Sequence, residues 1–423
     1  MPQAYIVRAL RTAGGRRGGR LAGWHPVDLA ASVVDALIER SGADPGCIDD
    51  VIVGCVSQAG EQSTNVGRNV VLASSLPETV PGTTVDRQCG SSQQAIHFAA
   101  QAVMSGAMDV VVAAGVESMS RVPMGLPHSL PQREGLGSYL SPRIRQRYGV
   151  DEFSQFHGAE AIARSFGFTR EQLDAYALQS HLRAAKAAAD GAFDAEILPL
   201  PARTADGTDG PPHTHDEGVR ADASAQALAG LKTLREHGVI TAGNASQICD
   251  GAAAVLVANE QGLRALGAEP LARIHHMSVL GGDPVVMLLA PLDATRRALA
   301  RSGMALRDID LYEVNEAFAP VPLAWARELD ADPMRLNVHG GAIALGHPLG
   351  GVRGATDEHP GACAAPARLA LRPADHVRGR GHGQRDHRGA PVTAPAPRGR
   401  LPARPLRSGA GRPAPGAADG LPG

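Results

Sequence analysis

Along the first part of the chain, apolar positions alternate between short unbroken runs and a helical spacing. AYIVRAL (4–10) reads as a strand. VDLAASVVDALIER follows Pro26, places Leu29, Val33 and Leu37 four residues apart and stops at Gly42, which are the start, stripe and stop of a helix. DVIVGCV (50–56) and TTVDR (83–87) are further short strands. SQQAIHFAAQAVMSG predicts a helix ending at Gly106, and DVVVAAG (109–115) a buried strand. This alternation implies an α/β fold, with a mostly parallel sheet covered by helices.

The grammar recurs later in the chain. Arg40-Ser41-Gly42, then Ile48-Asp49 and a strand, is matched at the same spacing by Arg301-Ser302-Gly303, then Ile309-Asp310 and a strand. The match reads as an internal duplication. Between the two halves, residues 117–248 are rich in Pro, His and Gly and include the helical stretch REQLDAYALQSHLRAAKAAADG. This segment reads as an insertion that covers a site.

Composition changes the picture mainly at the C-terminus. The 423 residues are 43% hydrophobic but only 3% aromatic, so the core has to be built from Ala, Val, Leu and Ile. The net charge of −2 argues against a dedicated nucleic-acid binder. No apolar run has the length of a membrane span, the N-terminus lacks a signal-peptide core, and the five cysteines show no CxxC spacing; together these predict a soluble protein of the reducing cytoplasm. Residues 352–423 differ from the rest: twelve Arg stand against five acidic residues, a local charge of +7 that leaves −9 on residues 1–351. That Arg/Pro/Gly/Ala-rich tail has too little apolar content to offset the entropy of ordering, and is expected to be disordered.

Candidate chemistry centres on Cys89, in VDRQCGSSQQAIHFAA, at a strand end just before a helix. Helix N-terminal amides favour a thiolate and so a nucleophile; Gly90 permits close approach of a carbonyl, and the Cys89 N–H can face a developing oxyanion. An inert buried cysteine is the competing reading of that position. Two more segments bear on it: Tyr312-Glu313-Val314-Asn315-Glu316-Ala317-Phe318 sets a polar pair at a strand end, and Asn337 to Pro348 is a Gly-rich turn presenting His347. His157, His213 and His215 lack acidic or Cys partners at ligand spacing, so no metal is expected.

Taken together, RQCGSSQQA, GVESMSRVPM, TAGNASQICDGAAA, VNEAFA and GGAIALGHPLG give the chain a resemblance to the thiolases, the acyl-CoA:acetyl-CoA C-acyltransferases, from its first strand through Gly351. The resemblance implies a five-layered αβαβα fold of two duplicated halves, here with the second incomplete. Residues 1–262 would form the N-terminal half, with a loop domain inserted at about 117–248; residues 268–351 would form a truncated C-terminal half. It implies coenzyme A thioesters as substrates, no permanently bound cofactor, a homodimer or homotetramer, and no nucleic-acid or membrane partner. Cys89 would take the acyl group as a thioester, His347 would deprotonate Cys89, and His347 with a water held by Asn315 would bind the thioester oxygen. Ser246 in NASQ and Arg220 in DEGVR resemble coenzyme A contacts; ordinary loop polar groups are the alternative. Phe156-His157-Gly158-Ala159-Glu160 departs from the family's Gly-x-x-Ala-Glu, so the resemblance leaves the acyl pocket unspecified.

A larger departure follows Gly351. Thiolases continue with Ser-Gly-Ala-Arg, a helix, two strands and a C-x-G motif whose cysteine is the second acid–base group. Cys363 comes too early and lacks a glycine two residues on. The genetic code offers an account. When the second and third bases of each codon are read with the first base of the next, Ala370 to Gln384 permits RYGLQTMCEGGGMAN, a thiolase-like C-terminus with its C-x-G. Its cysteine straddles the codons of Val377 and Arg378. The most restricted codons, at Asp375, His376, His382, Gln384, Asp386 and His387, each permit a family-like residue. A single frameshift near codons 350–352 therefore accounts for the tail and its basic character.

As written, the chain is expected to expose apolar surface and to fold poorly, because part of the second sheet is lost. Two functional readings stand. One is a thiolase, cleaving 3-ketoacyl-CoA or forming acetoacetyl-CoA, whose condensation step is impaired by loss of C-x-G. The other is a catalytically dead coenzyme A-binding or scaffolding chain, or a pseudogene product. Acyl-chain class and physiological direction are not carried by the shared motifs.

Overall fold

Two runs of strands and helices, each containing a glycine-capped helix that leads into a strand, frame the molecule. The computed structural model describes residues 2–349 and the backbone of Arg368–Ala370. Chain order begins with β1 (Tyr5–Thr12), β2 (Gly15–Arg16), α1 (Pro26–Ser41), β3 (Asp50–Gly54), α2 (Val66–Ala73), β4 (Gly82–Val85), α3 (Ser91–Ser105) and β5 (Val110–Ser118). The α1 helix starts on Pro26 and ends at Gly42 in a left-handed conformation (φ 64°), whose N–H caps the Glu39 and Ile38 carbonyls. Its stripe is fully buried: Leu29, Val33 and Leu37 are each 0% exposed.

The segment predicted as an insertion follows β5. It comprises α4 (Leu126–Arg133), α5 (Pro142–Tyr148), α6 (Gln155–Phe166), α7 (Arg170–Ala189), β6 (Ile197–Leu198), the antiparallel hairpin β7 (Leu200–Arg203) and β8 (Asp209–His213), and α8 (Ala225–Ala229). The chain then enters β9 (Cys249–Ala258), α9 (Glu260–Leu266) and β10 (Ala272–Arg273).

The main sheet has the order β10-β1-β9-β5-β3-β4, with β2 on β9 and β6 on β1. It is mixed rather than mostly parallel. Strand β3 runs parallel to β4 and β5, but β9 runs antiparallel to both β5 and β1. The reason lies in the connections. The links β3–α2–β4 and β4–α3–β5 are helical crossovers, which return the chain in parallel. Between β5 and β9 lies the whole insertion, so no single crossover helix dictates the direction of β9. Both faces are covered. Val51, Val53, Val110, Val112 and Leu256 pack with α1 and α2, while Ile52, Val111, Ala113, Val255 and Val257 pack with Ala95, Ala99 and Val103 of α3. Adjacent residues of one strand thus serve opposite layers.

The second run is α10 (Ala290–Ser302), β11 (Leu311–Glu313), α11 (Pro320–Leu329) and α12 (Ala342–Leu345). It repeats the first. Gly303 caps α10 in the same left-handed conformation (φ 72°), a single 3₁₀ turn follows each cap, and β11 occupies the place of β3. Leu292, Ile309, Tyr312, Val314, Trp325 and Leu336 form its core. Strand β12 (Arg368–Ala370) pairs antiparallel with β11, a strand where tail composition predicts none. The rest of the 352–423 tail, with Cys363 and the codons of the frame-shifted reading, lies outside the described residues. No helix among the described residues is long and apolar enough to cross a membrane.

Candidate active site

Cys89 sits in a tight elbow between β4 and α3. Gln88, the residue before it, has a left-handed backbone (φ 49°), a conformation that costs a non-glycine residue energy and is found at functional turns. Local bonds hold the turn: Gln88 N–H donates to Asp86 Oδ1 (2.7 Å), Gly90 N–H to the Arg87 carbonyl (3.1 Å), and the Ser91 hydroxyl to the Gln88 carbonyl (2.7 Å). Beneath it, Gly54 at the end of β3 lets the first turn of α3 approach the sheet; a Cβ there would stand 2.6 Å from Ser91 C and 2.8 Å from Ser92 Cα.

The sequence predicts a stabilised thiolate at this helix start. The structure places the thiol in a different balance. Burial, reinforced by the Glu117 and Asp86 carboxylates and opposed by the backbone amide of Cys89 itself, pushes the Cys89 thiol up to about 11. A resting thiol of that kind needs a base to become a nucleophile. Glu117 is the residue behind part of this shift. It stands next to last in the wholly buried strand β5 and accepts N–H bonds from Val56 (2.9 Å) and Ser57 (3.0 Å) and an amide bond from Gln62 (2.9 Å). A lone acid closing an otherwise apolar strand was its signal in the sequence.

Asn315 and His347 come together. Asn315 Nδ2 lies 3.4 Å from His347 Nε2, and His347 is 2% exposed. Asn315 Oδ1 is buried without a donor among the described residues, the kind of acceptor that a water or substrate group satisfies. Main-chain bonds tie three segments around this pair. Ser246 N–H donates to the Ala317 carbonyl (2.9 Å), Ala319 N–H to the Asn244 carbonyl (2.9 Å), and His347 N–H to the Gln247 carbonyl (3.1 Å). Gln247, adjacent to Ser246 and not singled out by the sequence, donates from Nε2 to the carbonyls of Ile343 (2.7 Å) and Gly218 (2.9 Å).

The elbow and the pair share one end of the sheet. The β5–β9 register pairs Glu117 with Gly251, and Pro348, next to His347, packs on Gly251, where a Cβ would meet Pro348 Cγ at 3.3 Å. The carboxylate acting on Cys89 and the turn carrying His347 are therefore neighbours across that end.

Ser246 is half-buried, and its hydroxyl makes no hydrogen bond among the described residues. Arg220 is exposed and forms no ion pair among them; its N–H donates to His181 Nδ1 (3.3 Å), a ring that burial, and then the Arg220 cation, push down to about 4. Arg220 stands on the turn after Asp216, whose carboxylate, with Glu196, clamps the buried Arg11 guanidinium at 2.7 and 2.6 Å. Of the other histidines, His213 is buried with Nε2 3.2 Å from the Ala13 carbonyl, and His157 is exposed. Among the described residues no His, Cys, Asp and Glu group three or more strong in a metal-holding arrangement.

Comparison with known proteins bears on this arrangement. The thiolase N-terminal domain family matches residues 4–261, and the thiolase C-terminal domain family matches residues 268–357. A steroid 3-ketoacyl-CoA thiolase of Mycobacterium tuberculosis is 50% identical over 352 residues, which cover 83% of this chain and 85% of that one. A 3-ketoacyl-CoA thiolase of Bacillus subtilis is 41% identical over 361 residues, covering 83% and 90%. The crystal structure of the Bacillus anthracis acetyl-CoA acetyltransferase superposes with a TM-score of 0.75 at 37% identity, over 83% of this chain and 89% of that one. With both domain families matched in order and half of all aligned residues shared with one relative, the chain belongs to the thiolase family of acyltransferases and has its α/β fold.

Proposed function

We propose that this chain carries out thiolase-type acyl transfer from coenzyme A thioesters through a Cys89 thioester. The Cys89 sulfur attacks the thioester carbonyl, and the carbon–sulfur bond to coenzyme A breaks. The proton lost by Cys89 passes through His347 to the departing thiolate. The oxygen of the tetrahedral intermediate is held by His347 and a water on Asn315, with the Cys89 N–H as a further donor. Ser246 and Arg220 contact the coenzyme A portion, and the exposed guanidinium suits its phosphates.

The observation that carries this reading is the 3.4 Å pairing of Asn315 Nδ2 with His347 Nε2 at the sheet end that also bears the Cys89 elbow. Oxygen-stabilising groups and a base for a thiol whose pKa is raised are what the first half-reaction needs. The second half-reaction, transfer to acetyl-CoA or coenzyme A as in 3-ketoacyl-CoA thiolysis or acetoacetyl-CoA formation, needs a further acid–base group. No cysteine with a glycine two residues on follows Gly351, and that observation favours a chain that stops at the acyl-enzyme or only binds coenzyme A. A frameshift near codons 350–352 remains our account of the loss.

Incubation with acetyl-CoA followed by intact-mass measurement tests the reading. An acetyl increment that disappears in Cys89→Ser supports acyl transfer. Coenzyme A binding with no adduct supports the binding-only alternative.

A further inference from the structure

We propose that Tyr176 and Ser180, on helix α7 of the insertion, are positioning residues for acyl transfer, holding Asn315 and His347 in register through the buried carboxylate of Glu316. This rests on the role proposed above for that pair. Glu316 is 1% exposed and directly follows Asn315. Its Oε1 accepts from the Tyr176 hydroxyl (2.9 Å) and Asn337 Nδ2 (3.0 Å), and its Oε2 accepts from the Ser180 hydroxyl (2.7 Å) and the Ile343 N–H (3.1 Å). One carboxylate therefore joins the segment of Asn315 to the short helix that leads into His347.

The helix donors also grip the turn directly. The Ser180 hydroxyl accepts the Gly341 N–H (3.1 Å), and Asn337 Nδ2 reaches the Tyr176 oxygen (3.0 Å). Asn337 in turn brackets Val314, accepting its N–H and donating to its carbonyl at 2.9 Å each. Gly341 lacks a side chain where a Cβ would fall 2.6 Å from Glu316 Oε1, so the turn is seated against the carboxylate itself.

Glu316 forms no ion pair among the described residues. A buried carboxylate met only by neutral donors is a costly way to gain stability, since apolar packing of similar volume serves that end as well or better. What the arrangement supplies is direction: four donors, two from α7 and two from the Asn337–Pro348 turn, converge on two oxygens. The same α7 helix holds the Arg220 turn through His181, so one element touches both the turn proposed to bind coenzyme A and, at Glu316 and Gly341, the segments that carry the pair proposed to act on the thioester.

The test uses the full chain and Tyr176→Phe, Ser180→Ala and Glu316→Gln. Single-turnover acetyl transfer from acetyl-CoA to Cys89 is followed by intact mass over a range of acetyl-CoA concentrations. Alkylation of Cys89 by iodoacetamide is measured across pH. The limiting acylation rate is expected to fall about tenfold or more in each hydroxyl variant, with half-saturation within about twofold of the parent, because about 1 Å of misplacement can cost 10²-fold. The alkylation profile is expected to move toward that of His347→Ala. Folded variants that keep both the parent's limiting rate and its profile would overturn the proposal, as would variants that lose affinity alone. If the parent itself takes no acetyl group, the acyl-transfer reading fails separately, and the alkylation profile decides positioning by itself. If Glu316→Gln does not fold, the two hydroxyl variants carry the test, since each removes one donor and leaves the carboxylate.

Discussion

Replacing Gly54 by alanine should damage the nucleophile elbow without touching the nucleophile. The added Cβ would stand 2.6 Å from Ser91 C, 2.8 Å from Ser92 Cα and closer still to Ser92 N, all backbone atoms of the first turn of α3. Neither side can yield cheaply. Gly54 is paired in register with Val85 on one flank and Gly115 on the other, and α3 is seated on Ile52, Val111 and Val255 through Ala95 and Ala99. Restoring ordinary carbon contacts needs the helix start to move by about 1 Å. Overpacking of this kind typically costs about 1–3 kcal/mol. The displacement falls two residues from Cys89, so the loss in function should exceed the loss in stability, at about 10²-fold in acylation rate. Urea unfolding and the acetyl-CoA mass assay measure the two. A variant with unchanged midpoint and an acylation rate within threefold of the parent would show that the close approach at Gly54 does not set the elbow.

Further outcomes are expected. With burial pushing the Cys89 thiol up to about 11, alkylation of His347→Ala should rise steeply with pH and have its midpoint near that value; a midpoint at or below the ordinary thiol range would contradict the burial argument. By the same shift, the half-buried thiol supports folding below its ordinary pKa of 9.0, and that contribution is lost as pH climbs from 9.0 toward about 11. Arg11→Ala leaves Glu196 and Asp216 buried without their cation and should cost about 3–5 kcal/mol in urea unfolding, whereas a change below about 1 kcal/mol would mean the clamp is idle. The coding DNA across codons 345–390 should contain a missing or extra base relative to the thiolase frame, and nucleotides unable to encode RYGLQTMCEGGGMAN would refute that account; in the chain as written, acetoacetyl-CoA thiolysis should be undetectable.

Much of the first half was legible because its signals are local. Pro26, the Leu29-Val33-Leu37 stripe and Gly42 define α1 within one stretch of chain, and α1 forms where they place it. The Arg-Ser-Gly repeat gave the second run its helix, cap and strand for the same reason. The direction of β9 was not legible. An apolar run such as AAAVLVA states burial on both faces, but its orientation depends on a connection too long for local rules to govern. The site divided in the same way. Cys89, Asn315 and His347 stand in motifs whose residue types point to the chemistry proposed for them. Tyr176 and Ser180 lie on an ordinary helical stretch, and their partner Glu316 is more than a hundred residues away.

The sequence by itself therefore determined the elements, the duplication and the family, and it named the groups proposed to react, because each is written in a contiguous pattern or a motif. Tertiary structure decided three things: a mixed rather than parallel sheet, a Cys89 thiol pushed up rather than down, and the meeting of α7 with the Glu316 carboxylate next to Asn315. Each of these is an energy of surroundings, set by strand neighbours, by burial beside Glu117, or by donors converging on Glu316. Surroundings are assembled only when distant segments meet.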